Sequence, residues 1–367
     1  RAPPPMFSLW GRKAPGSPVS HWSLGSSASS DAEDEAAPAP PSAAGATGAT
    51  AGEPADKAEA AEPPREDSSD EDSHVLQGPL VYQGAGANAE IYSARLGGRA
   101  VAVKMLRPRN VDNPQAVADL DLERDVLHEL RHPRIIKLHG YGSDPRPYIV
   151  IDFLPGGTLR ELIHAAASAS CGRPLLQRAH LPYPEVLRLA GQLADALRYL
   201  HDERRIVHRD VKPTNTMIDA AGDLQLVDFG LCKRLPRKPA RVNESYQMTG
   251  CTGSYRYMAP EVFGKRPHYN EKVDVYSFGM LLWEMAALAR PLEGVDVRKP
   301  HEERPRLSPQ WPPRLRQLMA KCWDACPTAR PSAAELCTEL AEMLHTADKA
   351  APSLAAGGGG CLFSSTA

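Results

Sequence analysis

The chain of 367 residues lacks any apolar run of the ~18 residues needed to cross a bilayer. It also lacks a strong net charge: the formal value of -2 argues against nucleic acid or an anionic membrane as the main partner. Its 7 cysteines form an odd, scattered set, and no secretory signal is recognisable. Cys322 and Cys326 have no second pair at zinc-site spacing, so we expect structural cysteines there. Together these absences predict reduced thiols in a cytoplasmic protein with no transmembrane segment.

Sustained apolar periodicity is missing from residues 1–75, which are rich in Ala, Pro, Ser, Gly and acidic residues. Residues 31–73 carry 13 Asp and Glu against Lys57 and Arg65, a net charge of -11 that leaves +9 for the rest. Such a segment cannot bury enough surface to offset the entropy of ordering, so we predict a disordered tail over 1–75. Its role is either solvation or regulated docking and phosphorylation. A second disordered tail is predicted over 347–367.

The stretch QGAGANAEIYSAR lacks the last glycine of a G-x-G-x-x-G pattern. Gly84 and Gly86 are in place, whereas Ala89 occupies the third position. An imperfect glycine motif is weak evidence for phosphate binding, because small residues are common in turns. If the third position requires a positive φ or the closest approach to a phosphate, Ala89 is expected to weaken nucleotide binding without abolishing turnover.

Strand patterns surround the glycine pair at 97–98. The runs EIYSAR and AVAVKML flank this pair, which is the signature of a two-residue hairpin turn. Alternation divides the second strand into two faces: Val101, Val103 and Met105 on one, Ala100, Ala102 and Lys104 on the other. Lys104 therefore shares a face with two small residues, where a flat ligand could approach.

A helical period follows from about 115 to about 131. Its apolar stripe consists of Leu120, Leu127 and Leu130. Glu123 lies on the same stripe. An inward carboxylate is costly without a cationic partner, and Lys104 is the nearest candidate. The alternative is a surface Glu at the edge of the stripe.

The remaining periodic segments are mostly helical. After the strand YIVIDFL we predict a loop over 164–182, an amphipathic helix from about Pro184 to His201, and a helix buried nearly all round from about Asp274 to Leu292. Because strands come first and helices afterwards, we expect two lobes of different composition.

The segment HRDVKPTNTMIDAAGDLQLVDFG has the alternation and central turn of a short hairpin. If the turn is centred between Ala221 and Gly222, Asn215 lies opposite Asp228 at the open end. Two oxygen ligands beside the loop at 208–210 favour a hard divalent cation such as magnesium.

Six motifs occur in an order and approximate spacing that resemble a eukaryotic protein kinase over roughly residues 77–346: VAVK, HRDVKPTN, DFG, YMAPE, DVYSFG and CWDACPTARPS. The Lys of HRDVKPTN is typical of serine/threonine kinases, and the last two motifs resemble the tyrosine-kinase-like group. The resemblance implies an α+β, two-lobed protein kinase fold over 76–346. A β-rich N-lobe with one key helix would occupy about 76–152, and a larger, mainly helical C-lobe about 155–346.

The resemblance also implies a role for each matching residue, with ATP and Mg2+ as cofactors and proteins as substrates. Asp210 would accept or orient the proton of the substrate hydroxyl, and Lys212 would steady the transferred phosphate. Lys104, held by Glu123, would bind the α- and β-phosphates. The implied magnesium ligands are Asn215 and Asp228. The implied ATP-binding set is Gly84, Ala85, Gly86, Ile91, Ala102, Lys104, Glu123, Ile151, Asp152 and Leu154.

Other matching residues would support the fold or regulate it. Glu261 would pair with Arg330, and Asp274 would brace the catalytic loop. Residues 228–261 would form the activation loop, in which Ser254 would contact the catalytic loop. The candidate phosphorylation sites are Ser245, Thr249 and Thr252.

Two alternatives to an active serine/threonine kinase stay open. Ala89 and the long tail suggest a pseudokinase scaffold, although the four polar residues that pseudokinases usually lack are present: Lys104, Asp210, Asn215 and Asp228. A tyrosine or dual-specificity kinase is disfavoured by Lys212. The sequence carries no signal for an oligomeric state.

Overall fold

The computed structural model describes residues 76–169, 181–236, 244–298 and 302–355. Strands dominate the beginning of this part of the chain and helices the remainder, which confirms the expected two-lobed α+β architecture. The tail predicted over 1–75 lies outside the described residues. No helix within the described ranges is long and apolar enough to cross a membrane.

The N-terminal lobe contains a five-stranded antiparallel sheet with the order β1-β2-β3-β5-β4. Its strands are β1 Leu76–Ala85, β2 Ala89–Leu96, β3 Arg99–Leu106, β4 Leu138–Gly142 and β5 Tyr148–Asp152. Leu96 pairs with Arg99 across the predicted turn, where Gly97 and Gly98 have φ values of 54° and 77°. A two-residue hairpin turn requires such positive φ values, so glycine is needed at both positions.

The two faces predicted for β3 are present. Val101, Val103 and Met105 are buried in a small cluster on one side of the sheet. Ala102 packs instead into the main hydrophobic core. Lys104 therefore projects from the face of the sheet that is covered by the rest of the domain.

The helices are α1 Pro114–Glu129, α2 Leu159–Ala169, α3 Tyr183–Arg198, α4 Lys272–Ala287, α5 Pro313–Cys322 and α6 Ala333–Ala355. Helix α1 begins where Asn113 Oδ1 accepts hydrogen bonds from the backbone N–H groups of Gln115 and Ala116, at 3.1 and 3.4 Å. Glu123 is buried on its core side, which rules out the alternative of a surface Glu at the stripe's edge.

The loop predicted over 164–182 was wrong for residues 164–169, which belong to α2. Residues 170–180 lie outside the described part of the chain. A capping box begins α2: Thr158 N and Oγ1 donate to Glu161 Oε2 at 2.7 and 3.0 Å, and Glu161 N donates back to Thr158 Oγ1. Alanine has the highest helix propensity, so the Ala-rich stretch continues the helix instead of ending it.

The C-terminal lobe surrounds α3 and α4. The amphipathic helix predicted from about Pro184 to His201 consists of α3 and a π-helical turn at Tyr199–Arg204. Its apolar stripe is buried: Val186, Leu189, Leu193, Leu197 and Leu200. Helix α4 is buried nearly all round, as expected, but it ends at Ala287 and not at Leu292 because Leu288 adopts a left-handed φ of 51°. Helix α6 continues to Ala355, so the predicted domain boundary at 346 falls within a helix.

Candidate active site

A short hairpin carries part of the candidate site. It follows the two-residue strand β6 Ile206–Val207 and consists of β7 Thr216–Ile218 and β8 Leu224–Leu226, with Thr216 opposite Leu226. Asn215 therefore lies opposite Val227, whose N–H donates to Asn215 O at 2.9 Å. The predicted register, with Asn215 opposite Asp228, was wrong by one residue, although both side chains still belong to the open end.

The turn of this hairpin explains the shift. Three residues separate Asp219 from Asp223, whose backbone groups pair at 2.9 Å, and Gly222 adopts a φ of 86°. Asp219 Oδ1 accepts hydrogen bonds from Ala221 N and Asp223 N at 2.8 and 2.9 Å. A three-residue turn that ends in a left-handed glycine moves the register by one position relative to a two-residue turn.

Asp210 is held in one orientation by three neighbours. It is only 5% exposed. Its Oδ2 lies 2.8 Å from both Lys212 Nζ and Asn215 Nδ2, and its Oδ1 accepts a hydrogen bond from Ser254 N at 2.9 Å. Lys212 also donates to Ser254 Oγ at 2.7 Å. One carboxylate, one ammonium and one hydroxyl therefore meet at a single point.

Asp274, at the start of α4, holds the backbone of the loop that carries Asp210. Its Oδ2 accepts hydrogen bonds from His208 N and His201 Nε2, and its Oδ1 accepts one from Arg209 N, each at 2.8 Å. Burial opposes ionisation, but the hydrogen bond from His201 and the neighbouring N–H groups keep the pKa of Asp274 below its usual range. The buried, ionised carboxylate of Asp274 thus holds the backbone of this loop in place.

Lys104 bridges the two lobes. Its Nζ lies 2.7 Å from Glu123 Oε2 on α1 and 2.8 Å from Asp228 Oδ1, which follows the hairpin. Burial works against the charged amine, but the carboxylates of Asp228 and Glu123 raise the pKa of Lys104 above its ordinary value. Partial burial opposes ionisation of Asp228, yet the Lys104 ammonium lowers the pKa of that carboxyl to about 2. The pair therefore stays charged around neutral pH.

Asn215 and Asp228 each retain a donor oxygen that suits a metal. Asn215 uses its amide nitrogen to bond Asp210 O and Oδ2 at 3.0 and 2.8 Å, which leaves its carbonyl oxygen. Lys104 contacts Oδ1 of Asp228, which leaves Oδ2 on a side chain that is 45% exposed. These oxygens fit Mg2+, which usually completes its shell with water and phosphate oxygens. No cluster of three or more His, Cys, Asp or Glu exists among the described residues to offer a competing metal site.

The glycine loop lies between β1 and β2. Gly84 and Ala85 end β1, and Gly86 N donates to Ala89 O at 2.8 Å. Ala89 is buried, pairs with Leu106 and has the extended backbone of a strand residue. A positive φ is therefore not needed at this position, and the methyl group of Ala89 packs inside the protein.

The other residues predicted to bind ATP lie on neighbouring strands: Ile91 on β2, Ala102 on β3, Ile151 and Asp152 on β5, and Leu154 after it. Ala102 and Ile151 are direct partners across β3 and β5. The carboxylate of Asp152 turns away from this face, because its Oδ1 lies 2.7 Å from His139 Nε2 on β4. Only its backbone is available to a ligand on the inner face.

The three candidate phosphorylation sites differ in accessibility. Ser245 and Thr249 are exposed, whereas Thr252 is buried and donates to Gly250 O at 3.3 Å. Arg209 Nη1 donates to Thr249 Oγ1 at 2.8 Å. Residues 237–243 of the expected activation loop, which include Arg237, Lys238 and Arg241, lie outside the described residues.

Glu261 and Arg330 form an ion pair within the C-terminal lobe. Both guanidinium nitrogens engage the carboxylate, with Nη2 of Arg330 at 2.9 Å from Oε2. Arg330 also donates to Lys272 O at 3.1 Å and lies over the ring of Tyr276 at 5.2 Å. Bidentate geometry and full burial of the arginine indicate a role in the fold.

Sequence analysis missed Gly253 and His201. Gly253 has a φ of 101°, and a Cβ there would lie 2.2 Å from Arg209 O, so only glycine allows Ser254 N to reach Asp210. The sequence feature that could have indicated the role of Gly253 is its position directly before Ser254. His201 binds Asp274, and its signal was a histidine at the end of the apolar stripe of α3.

Most of the described residues resemble known proteins in sequence. The model of the protein kinase domain family matches residues 81–340. Serine/threonine-protein kinase VIK of Arabidopsis thaliana is 36% identical over 276 residues, which cover 72% of this chain and 59% of that protein. Mitogen-activated protein kinase kinase kinase 7 of Drosophila melanogaster is 34% identical over 224 residues, which cover 58% of this chain and 30% of that protein. Dual specificity protein kinase shkB of Dictyostelium discoideum is 31% identical over 265 residues, which cover 69% of this chain and 38% of that protein. The chain thus spans 59% or less of these relatives' lengths.

Proposed function

This chain belongs to the protein kinase family, and from that premise we propose that it is an ATP-dependent serine/threonine kinase of the tyrosine-kinase-like group. It transfers the γ-phosphate of ATP to Ser and Thr hydroxyls of protein substrates. The observation that carries the proposal is the position of Lys104 Nζ, 2.7 Å from Glu123 and 2.8 Å from Asp228. A kinase needs this lysine and this aspartate together at the phosphates.

Catalysis depends mainly on positioning, because the phosphoryl group passes through a loose transition state. Asp210 accepts the proton of the substrate hydroxyl as the new P–O bond forms and the bond to the ADP oxygen breaks. Its orientation is supported by the hydrogen bonds from Asn215 and Ser254. Lys212, 2.8 Å from Asp210, offers positive charge to the transferred group.

Asn215 and Asp228 would hold Mg2+ through their remaining oxygens, and the ion would neutralise charge on the phosphates when bound. Lys104 contributes a second positive charge from the other lobe. Glu123 fixes the direction of that ammonium, since its buried carboxylate lies 2.7 Å from Lys104 Nζ.

Specificity for Ser and Thr is supported by Lys212, which is typical of serine/threonine kinases, and by the name of the VIK relative. A dual-specificity kinase is the second candidate, because shkB carries that description. A pseudokinase is not favoured, since Lys104, Asp210, Asn215 and Asp228 are all present.

Thr249 fits an activating phosphorylation best among the three candidates. It is exposed and already accepts a hydrogen bond from Arg209, which adjoins Asp210. A phosphate there would gain a charge-assisted bond to that guanidinium. Thr252 is buried and would have to move before modification.

The test is transfer of labelled phosphate from ATP and Mg2+ to a peptide library with Ser, Thr or Tyr acceptors. Wild type is compared with Asp210→Asn and with a matched control, Asp348→Asn. The control changes an exposed carboxylate on α6. Loss of a general base is expected to lower turnover by about 100-fold or more, whereas the control stays at the wild-type level. Wild-type transfer no greater than that of Asp210→Asn would overturn the enzyme proposal, and transfer chiefly to Tyr would overturn the specificity.

A further inference from the structure

The tip of the glycine loop is tied to the segment that leads from β3 into α1. Asn110 Nδ2 lies 3.3 Å from each of three oxygens: Ala87 O, Asn88 O and Asn88 Oδ1. Arg107 N donates to Asn88 O at 3.0 Å. One side-chain amide and one backbone N–H therefore converge on the two residues at the tip.

The local sequence RPRN places Asn110 where it can reach the loop. Arg107 precedes a proline and is extended, with φ -62° and ψ 148°, as residues before proline prefer. Pro108 then begins a single turn of 3-10 helix that ends at Asn110, whose N–H donates to Arg107 O at 2.9 Å. This turn folds the Asn110 side chain back towards Asn88.

The same segment is continuous with α1. Asn113 N donates to Asn110 O at 3.1 Å, and Asn113 Oδ1 caps the helix. Helix α1 carries Glu123, which holds Lys104. The tip of the glycine loop and the carboxylate that orients Lys104 are thus attached to a single stretch of backbone.

Such a tie adds to the one hydrogen bond already described within the loop, from Gly86 N to Ala89 O at 2.8 Å. Gly86, Ala87 and Asn88 are exposed, and a Cβ on Gly86 would meet only Ala89 O, at 4.0 Å. Glycine-containing loops lose much conformational freedom when they close over a ligand. A loop that is already held in place binds its ligand more tightly, because less entropy is lost on binding.

The tie also extends the pairing of β2 with β3. The hydrogen bond from Arg107 N to Asn88 O continues the β2–β3 pairing one residue beyond Ala89 and Leu106. The tip therefore stays aligned with the strand that carries Lys104.

We propose that Asn110 is a positioning residue that holds the glycine-loop tip over the triphosphate and thereby raises the affinity for ATP. The proposal rests on the proposed kinase function, because it concerns the nucleotide site of that activity.

The experiment compares wild type, Asn110→Ala and Asn110→Asp in steady-state kinetics with ATP and Mg2+ varied against a fixed peptide. Asn110→Ala removes the side-chain donor, and Asn110→Asp keeps the size but replaces the donor with an acceptor. Loss of these hydrogen bonds should raise the KM for ATP by about fivefold with kcat within about twofold. Asn110→Asp should raise it at least as much. The control is Asn113→Asp, which preserves the cap of α1 and leaves the KM for ATP unchanged.

A second measurement separates positioning from general stability. The melting temperature is recorded with and without Mg2+–ATP, and Asn110→Ala should reduce the rise in melting temperature caused by the nucleotide. An unchanged KM for ATP and an unchanged nucleotide-induced rise would overturn the inference while the kinase proposal stands. A lower KM for ATP would show that the tie holds the loop away from the ligand, which also overturns it. Absence of phosphate transfer by wild type would instead refute the proposed function.

Discussion

The loop that carries Asp210 and the glycine loop are built in opposite ways, although both are proposed to act on the same phosphates. Asp210 is 5% exposed, and its loop is fastened by hydrogen bonds to the fully buried Asp274. The glycine-loop residues 86–88 are exposed and are held by a few hydrogen bonds from Arg107 and Asn110. The difference follows from function: proton transfer needs a fixed geometry, whereas a segment that covers a nucleotide must open to release it.

The largest effect should come from removing Lys104, which joins the N-terminal lobe to Asp228. Lys104→Met should lower kcat/KM for ATP by about 100-fold or more, because the phosphates lose a preorganised positive charge. The domain should stay folded, since buried Glu123 can take up a proton once its cationic partner is gone. Phosphate-transfer assays and circular dichroism measure the two outcomes.

The control for this change is Lys321→Met, which removes an exposed lysine on α5. It should leave turnover unchanged. If Lys104→Met kept near wild-type turnover, the proposed role of the Lys104 and Glu123 pair would be wrong.

The next largest effect is expected on stability, when Asp274 no longer holds the loop that carries Asp210. Asp274→Asn should lower the free energy of unfolding by about 2–4 kcal/mol, because a buried ionic acceptor of three hydrogen bonds is replaced by a neutral amide. Urea denaturation measures it, with Asp348→Asn as a control that should change stability by less than about 0.5 kcal/mol. A loss below about 1 kcal/mol for Asp274→Asn would mean that the loop does not depend on this anchor.

Acid should weaken the contact between the lobes by protonating Asp228. The folded-state pKa of Asp228, about 2, lies below the ordinary value near 3.9. Ionised Asp228 therefore contributes stability above about pH 4, and this contribution is lost as the pH falls towards 2. Because the side chain is 45% exposed, water keeps the effect modest.

This pH dependence is measured as the difference in free energy of unfolding between wild type and Asp228→Asn. Other carboxyl groups titrate in both proteins and largely cancel. The difference should shrink steadily between about pH 4 and pH 2. A difference that stays constant over that interval would show that Lys104 does not depress the pKa of Asp228.

The smallest effect is expected in the glycine loop itself. Ala89→Gly should change the KM for ATP by less than about twofold, because Ala89 is already extended and needs no positive φ. Stability should fall by about 0.5–1 kcal/mol, since the buried methyl group is lost and the unfolded chain gains freedom. A markedly lower KM for ATP would mean that the third glycine of the motif still matters here.

Local sequence patterns were sufficient for several features of the site. The stripe of α1 favoured Glu123 as an inward carboxylate, and the alternation of β3 placed Lys104 on the face with Ala100 and Ala102. Lys104 was the candidate partner of Glu123, and the structure confirms this pair. Both inferences depend on residues close together on a single element, where the periods of 3.6 and 2 apply directly.

Other features could not be predicted in the same way. The register of the β7–β8 hairpin depends on whether its turn contains two or three residues, and Gly222 is compatible with both. Residues 164–169 of α2 were predicted as a loop because the alanines there resemble linker composition, whereas the Thr158 and Glu161 capping box signals the start of a helix.

The sequence by itself determined which groups are present for phosphate chemistry: the lysine of VAVK, the aspartates of HRD and DFG, and the asparagine between them. Only the tertiary structure decided how those groups are held. Asp274 reaches the Asp210 loop across 66 positions of sequence, and Asn110 reaches the glycine loop from the far end of β3. Contacts between distant segments depend on how helices and sheets pack, which no local period encodes.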